Sequence, residues 1–308
     1  MNVRPDTPTV VAIAGTGRSG STLLDRLLGG FGPCVSCGEV EYLWQRGLLN
    51  GERCGCGRPA HECPFWRSVL ELAFGPARPQ ALASAALEFL EPVNRNRHIR
   101  TLLRGGLRSE RQAVSALWLT PLYRAIAQTS GSDVVVDSSK HPSYVTLLAL
   151  TEGLDVRLLH IVRDARAVSH AWSRPKARPE IGDGTTLMPR FSMLKSTTDW
   201  LSYNAYFERL GQRLGEDRYL RVRYEDLAQQ PWRTLERVRT WLGLEHGPLS
   251  GGSFDLPAGH TVSGNPMRFQ TGPLDIRPDE AWQREMSPLA RLSVGLMTYP
   301  LQRRYGYR

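Results

Sequence analysis

The apolar run Val10-Val11-Ala12-Ile13-Ala14 passes without a break into Gly15-Thr16-Gly17-Arg18-Ser19-Gly20-Ser21-Thr22 and then Leu23-Leu24. A buried strand that turns through glycines into a helix N-terminus makes a cradle of backbone N–H groups suited to an anion. The triphosphate-binding form of this loop reads G-x-x-x-x-G-K-[ST]; its Lys reaches the β- and γ-phosphates and its hydroxyl holds Mg²⁺. Gly15, Gly20 and Thr22 occupy that template, but Ser21 stands in the Lys position. The anion cradle is kept while the cation that spans two terminal phosphates is missing. Arg18, inside the loop, can supply a charge instead. The loop therefore predicts a site for a single 5′-phosphate or phosphosulfate rather than a triphosphate.

The rest of the chain repeats the strand–helix alternation. Strands are predicted over 9–14, 133–137, 156–162 and 219–224, with helices over 21–29, from Pro142 to about Thr151, through Ser173, over 193–215 and over 232–242. Residues 66–128 show helical periodicity and no convincing strand. The prediction is one α/β domain spanning 1–308, a three-layer P-loop-like arrangement. It has a central parallel sheet with helices on both faces and a helical insertion at about 66–130. Residues 174–190, with three prolines and several charges, are expected to form a mobile substrate loop. Ligands of such sheets gather at the carboxyl ends of the strands, so the loops after Ala14, Asp137, Val162 and Arg223 are expected to meet.

The formal charge of +9 and pI near 9.6 favour an anionic partner. The arginines are scattered and form no like-charge block, so a nucleic-acid partner is not expected. Nothing at the start resembles a secretory leader, and no apolar segment is long enough to span a bilayer. A cytoplasmic location is the expectation, and the oligomeric state stays open.

All five cysteines lie between Cys34 and Cys63. A structural zinc is conceivable there, but the C-x-C and C-x₆-C spacings match no common zinc knuckle. A single bridge is an equal alternative, and reduced cysteines packed as small hydrophobes are favoured over both. Trp44, Trp66, Trp118 and Tyr123 suit either the core or stacking on a sugar or ring.

Four polar clusters fall on the predicted sheet rim: Arg18/Ser19/Ser21/Thr22, Ser139/Lys140, Arg163/Asp164/Arg166 and Tyr224/Glu225/Asp226. A fifth, His260 to Arg268, reads as a glycine turn carrying a basic residue over a ligand. Singly, each has a plainer reading; Arg163-Asp164-x-Arg166 suits a helix start with its acid on the dipole and its arginines in water. Together, Gly-Arg-Ser-Gly-Ser-Thr-Leu-Leu, Asp-Ser-Ser-Lys-His-Pro, Val-Arg-Asp-Ala-Arg-Ala-Val, Arg-Tyr-Glu-Asp-Leu and Gly-Asn-Pro-x-Arg resemble the PAPS-dependent sulfotransferases. The likeness is to the bacterial branch related to tyrosylprotein and carbohydrate sulfotransferases. It covers about residues 9–45 and 133–307.

The resemblance implies 3′-phosphoadenosine-5′-phosphosulfate (PAPS) as co-substrate. Its 5′-phosphosulfate would be held by Gly17, Arg18, Ser19, Gly20, Ser21 and Thr22, and its 3′-phosphate by Arg163. Tyr224 joins the donor-binding set. The family's Ser eight residues after that Arg is Ala171 here, so Ser169, ahead of Ser173, is expected to substitute. Gly264, Asn265 and Arg268 look like the turn that closes over the nucleotide. Glu39 sits where relatives carry a catalytic Glu, with Glu41 as second choice and His141 or His260 as minority bases. Lys140 resembles the Lys that stabilises the leaving oxygen. Transfer of this kind needs positioned charge rather than a metal.

The acceptor would be a hydroxyl of a sugar or glycolipid, a phenolic metabolite or a tyrosine. Competing readings are a P-loop kinase or NTPase with Asp137 as Mg²⁺ partner, and an inactive nucleotide-binding protein of the same fold.

Overall fold

The computed structural model describes residues 7–178, 186–244 and 253–307. In chain order the elements are β1 (Thr9–Ala14), α1 (Ser21–Leu28), β2 (Cys34–Ser36), α2 (Pro64–Phe74), α3 (Pro79–Leu90), α4 (Ile99–Leu103), α5 (Arg108–Val114) and α6 (Thr120–Ser130). Then come β3 (Val134–Asp137), α7 (Pro142–Ala149), β4 (Asp155–Val162), α8 (Ala165–Ser173), α9 (Met193–Leu214), β5 (Tyr219–Arg223), α10 (Tyr224–Gln229) and α11 (Pro231–Leu242). The chain closes with β6 (Phe254–Leu256), β7 (Gly272–Leu274), α12 (Ala281–Glu285) and α13 (Pro288–Arg304). The five-stranded sheet has the order β2-β3-β1-β4-β5, with β6 and β7 forming a separate pair. β1 and β2 both pair in parallel with β3, Thr9 and Cys34 each lying opposite Val134. This is the α/β class predicted, a parallel sheet flanked by helices. Strands of such a sheet are apolar along their whole length because both faces are covered; β3 is buried at every residue and β1 at all but the first.

The chain divides into two compact units. The first comprises Met1–Ala14, Thr22–Leu158 and Asp255–Pro273. From Pro64 to Ser130 this unit carries helices α2 to α6 and no strand, as the helical periodicity over 66–128 predicts. Proline at the first turn starts α2, α3 and α7, where its missing N–H costs nothing. Trp44 packs edge-on against Trp118 at 5.6 Å and against Phe74 at 5.9 Å. Trp44, Trp66 and Tyr123 are fully buried and Trp118 nearly so, so the four aromatics are core, and the stacking role considered for them is corrected.

The second unit comprises Gly15–Ser21, Leu159–Phe254 and Leu274–Arg308. Its core gathers Val162, Ala165, Val168, Trp200, Val294, Leu301 and Tyr305 from the end of β4, α8, α9 and the C-terminal helix α13. The ends of the 174–190 loop pair with each other through an Ala177–Leu187 bridge; the middle of that loop lies outside the described residues. No helix among the described residues is long and apolar enough to cross a membrane.

His160 on β4 ties this unit's strands to α9. Its ring nitrogens lie 3.0 Å from Tyr219 Oη and 2.9 Å from Asn204 Oδ1. Burial, aided by Arg221 and opposed by the Asn204 bond, pulls the imidazole from 6.5 down to about 4. A histidine depressed in the fold stabilises fully above its unfolded value and loses that contribution as pH falls through the folded one. Between pH 6.5 and 4, wild type should therefore lose stability more steeply than His160→Gln, by up to about 1.4 kcal/mol per pH unit in denaturant titrations. Parallel slopes would refute a neutral buried His160.

Candidate active site

In the second unit, the glycine loop is shaped by close approaches. Gly15 has φ +139°, and a Cβ there would lie 2.3 Å from the Ile161 carbonyl oxygen. A Cβ on Gly20, at φ +89°, would lie 2.4 Å from the Tyr224 ring, and one on Gly17 would lie 2.5 Å from Trp172. These positions need glycine, because neighbouring backbone and rings press directly against the loop. Arg18 itself adopts a left-handed backbone, φ +70°, a region sparsely used by residues with side chains and common at ligand sites. Its guanidinium sits 4.9 Å over the Trp172 ring and donates to Met188 Sδ at 3.3 Å. Ser19 is buried and its hydroxyl pairs with Thr16 Oγ1 at 2.9 Å, and Ser21 is buried at the start of α1.

Arg163 leaves β4 into the same region. Its Nη1 donates to the Arg18 carbonyl at 3.0 Å, and its Nη2 donates to the backbone oxygen and Oδ2 of Asp279, both at 2.9 Å. The guanidinium lies 4.4 Å over Tyr224, whose hydroxyl accepts from Asp279 N at 3.3 Å. Burial pushes the Asp279 carboxyl upward, but the hydrogen bond and charge of Arg163 outweigh it and leave it below the ordinary range. Partial burial, then the charge of Arg18, pull the Lys176 ammonium down, with Asp279 opposing. Arg163 and Lys176 thus both feel the one carboxylate of Asp279. The helix-start reading holds for the neighbours of Arg163: Asp164 caps α8 through Arg166 N at 2.8 Å and grips the Arg166 guanidinium at 2.9 and 2.6 Å. Ser169 is buried and bonded to Ser196 Oγ at 3.0 Å. Ser173 bonds back to the His170 carbonyl.

The first unit carries the carboxylates. Glu39 Oε1 accepts from Lys140 Nζ at 2.5 Å, both side chains being 12% exposed. Lys140 also donates to the Ser138 carbonyl at 2.5 Å and adopts φ +65°. Glu39 N donates to the Val262 carbonyl at 2.7 Å, and Gly264, at φ +100°, packs so that a Cβ would lie 3.4 Å from Glu39 Oε1. Asn265 caps the following turn through Met267 N at 3.1 Å. Arg268 is buried and donates to the Thr261 and Arg53 carbonyls at 2.8 and 2.6 Å. The positive charge expected to face a ligand thus braces two backbone segments. Thr22 is half-buried in the first turn of α1.

Glu41 is embedded differently from Glu39. Its Oε1 accepts from Asn94 Nδ2 at 2.8 Å and lies 3.4 Å from His141 Nδ1. Burial, against the Asn94 bond, pushes it from 4.5 up to about 8, and burial lowers His141. His170 pairs with Glu285 at 3.1 Å. Asp279, Trp172, Lys176 and Asn94 had no assigned role in the sequence, since none lies in a recognisable motif.

The structure brings together Arg18, Arg163 and Tyr224 in the second unit, and Glu39, Lys140 and Gly264 in the first. The sulfotransferase family model matches residues 8–248. This chain therefore belongs to the sulfotransferase family. Its structure is similar to the sulfotransferase domain of the olefin synthase from Synechococcus PCC 7002, with 23% identity, a TM-score of 0.55, and 99% of this chain and 98% of that one covered. It is also similar to the sulfotransferase domain from the curacin biosynthetic pathway, with 16% identity, a TM-score of 0.54 and 99% of both chains covered. At these identities the likeness shows the fold, which in sulfotransferases is P-loop-like. No curated protein matches the chain.

The environment of Glu41 gives a pH signature. A carboxyl raised in the fold stabilises fully below its unfolded value near 4.5 and loses that contribution as pH rises through about 8. Wild type should lose stability relative to Glu41→Gln across that window, with a slope of up to about 1.4 kcal/mol per pH unit. A difference independent of pH would mean that Glu41 is ionised in the fold.

Proposed function

We propose that the chain transfers the sulfuryl group of PAPS to a hydroxyl of a small-molecule or glycan acceptor. The observation that carries this reading is the Glu39–Lys140 pair beside Gly264, in a chain whose phosphate loop has Ser21 in place of Lys. Gly17, Arg18, Ser19, Gly20, Ser21 and Thr22 hold the phosphosulfate. Arg163, with Tyr224 beneath it, holds the 3′-phosphate. Gly264 and Asn265 contribute to the nucleotide site through backbone and side chain. Ser169 supplies a hydroxyl only if it exchanges its bond to Ser196, and Arg268 contributes by bracing the turn.

In the proposed step the acceptor oxygen attacks sulfur in line and the sulfur–oxygen bond to the 5′-phosphate breaks. Glu39 takes the acceptor's proton, and Lys140 donates to the departing bridging oxygen, where negative charge develops. In this step Lys140 turns from Glu39, its partner at 2.5 Å, to that oxygen. Loose transfer of this type relies on positioning and charge. Arg18, Lys140 and the loop amides supply that charge with no metal in the step. A kinase reading needs an acid for Mg²⁺, and Asp137 is already engaged by Tyr123, Ser139 and Val40.

Calorimetry with adenosine 3′,5′-bisphosphate tests the donor assignment. Wild type should bind it without Mg²⁺ and more tightly than ATP. Arg163→Ala should weaken binding roughly 10- to 100-fold, as loss of a charged hydrogen bond predicts. Asp279→Ala should tighten binding, because the carboxylate that competes for Arg163 is gone. Tighter, Mg²⁺-dependent ATP binding would overturn the assignment.

Glu39→Gln separates the base from the binding site. Formation of the bisphosphate from PAPS, with phenolic and sugar acceptors, should fall about 10²- to 10⁴-fold while bisphosphate affinity holds. Unchanged turnover would remove Glu39 as the base, and no turnover in wild type with any acceptor would favour an inactive nucleotide binder.

A further inference from the structure

We infer that Cys54, Cys56, Cys63 and His260 form a zinc site that fastens the Val262–Gly264 segment beside Glu39. Their four ligand atoms lie within 4.8 Å of one another. Cys56 Sγ is 3.7 Å from Cys63 Sγ, and His260 Nδ1 is 3.2 Å from Cys63 Sγ and 3.9 Å from Cys54 Sγ. A tetrahedral zinc with ordinary bond lengths has sulfur–sulfur edges of about 3.8 Å and sulfur–nitrogen edges of about 3.6 Å. The observed separations bracket those edges. A disulfide would need sulfurs about 2.05 Å apart, and Cys54, Cys56 and Cys63 are in no disulfide. Packing as small hydrophobes explains buried thiols one by one. It does not explain three thiols converging on one imidazole nitrogen.

The local backbone presents these ligands from one side. An Arg53–Pro59 bridge closes a tight loop, Gly57 N donates to the Cys54 carbonyl at 2.8 Å, and Gly57 turns the chain at φ +88°. Cys63 then opens α2 immediately before Pro64. The His260 ring is stacked on Phe65 with centroids 4.7 Å apart, and its carbonyl accepts from Trp66 Nε1 at 2.9 Å. These contacts fix the imidazole with Nδ1 toward the sulfurs. Three thiolates and an imidazole are a structural zinc set, too soft for Mg²⁺ or Ca²⁺. Cys34 and Cys37 lie outside the group. The fourth ligand lies 197 residues beyond Cys63, which is why cysteine spacing alone resembled no known knuckle.

The metal would join two distant stretches of the first unit. Gly55 N donates to the Thr261 carbonyl at 2.9 Å, and Arg268 reaches the Arg53 carbonyl. Two residues past His260, Val262 exchanges hydrogen bonds with the Cys37 carbonyl and Glu39 N. Gly264 follows, against the Glu39 carboxylate. Zinc at this place holds the segment that flanks the proposed base and takes no part in the transfer itself.

The test is metal analysis of the full chain, purified without chelator, by inductively coupled plasma and native mass spectrometry. Wild type should carry about one zinc per chain, released by a thiol-modifying reagent. Cobalt(II) substitution should give a thiolate-to-metal charge-transfer band and the strong visible bands of a tetrahedral centre. Cys56→Ser and His260→Ala should each lose zinc during dialysis that wild type withstands, and Cys34→Ser should keep it. Substoichiometric zinc in wild type with all thiols freely titratable would overturn the site. So would a Cys56–Cys63 disulfide, or zinc lost equally from Cys34→Ser.

Discussion

The Asp137 carboxylate, buried at the end of β3, organises the polar cluster of the first unit. A buried carboxylate is costly unless donors surround it. Asp137 accepts from Ser139 N at 2.8 Å, Ser139 Oγ at 2.5 Å, Val40 N at 3.4 Å and the Tyr123 hydroxyl. Burial pushes its carboxyl up, and these bonds oppose the rise. The donors come from three places: the turn after β3, the segment after β2, and α6. Ser139 Oγ in turn accepts from Glu41 N at 3.1 Å. The backbones that carry Lys140 and Glu39 are thus tied to one carboxylate within a few residues of each. Their side chains meet at 2.5 Å because of that shared anchor, and Lys140 accepts a left-handed backbone to reach it.

The same anchor separates two glutamates that the sequence places almost side by side. Glu39 faces a lysine and a glycine. Glu41 turns inward to an amide, and burial raises it to about 8. Near neutrality Glu41 is chiefly a neutral acid and His141 a neutral imidazole, linked by Ser143 and Asn94 at 3.0 and 2.6 Å. A base needs its proton-accepting form available at working pH. Burial favours the protonated form of Glu41, which counts against Glu41 as the proposed base.

Much of the fold was legible in the residues. β1, β3 and β4 are runs rich in Val, Ile and Leu bounded by polar turns, and the structure places them where the runs lie. β2 escaped because Cys-Val-Ser is three residues long and carries no alternation. The C-terminal helix α13 escaped because Leu289, Leu292 and Leu296 are exposed while Pro300 interrupts its interior, so no clean apolar stripe marks it. In the candidate site, motif residues were legible and their partners were not. Arg163 could be named from its strand end, but Asp279 lies 116 residues away in a stretch without pattern. The thiol cluster was visible as cysteines, whereas its imidazole was hidden by the same kind of distance.

Those unseen partners decide which cations can receive a ligand. Arg268 donates to two carbonyls inside a buried turn, and backbone oxygens tied into that turn are not exchanged for an anion without unfolding it. Arg163 is held partly by an exposed carboxylate, 46% accessible at Asp279, through bonds an incoming phosphate oxygen can replace atom for atom. Arg18 lies over the Trp172 ring and donates to the Met188 thioether. The second unit therefore combines the glycine loop with an arginine, Arg163, whose carboxylate partner is replaceable. Within the second unit, the proposed assignment of phosphate ligands falls on Arg163 and Arg18.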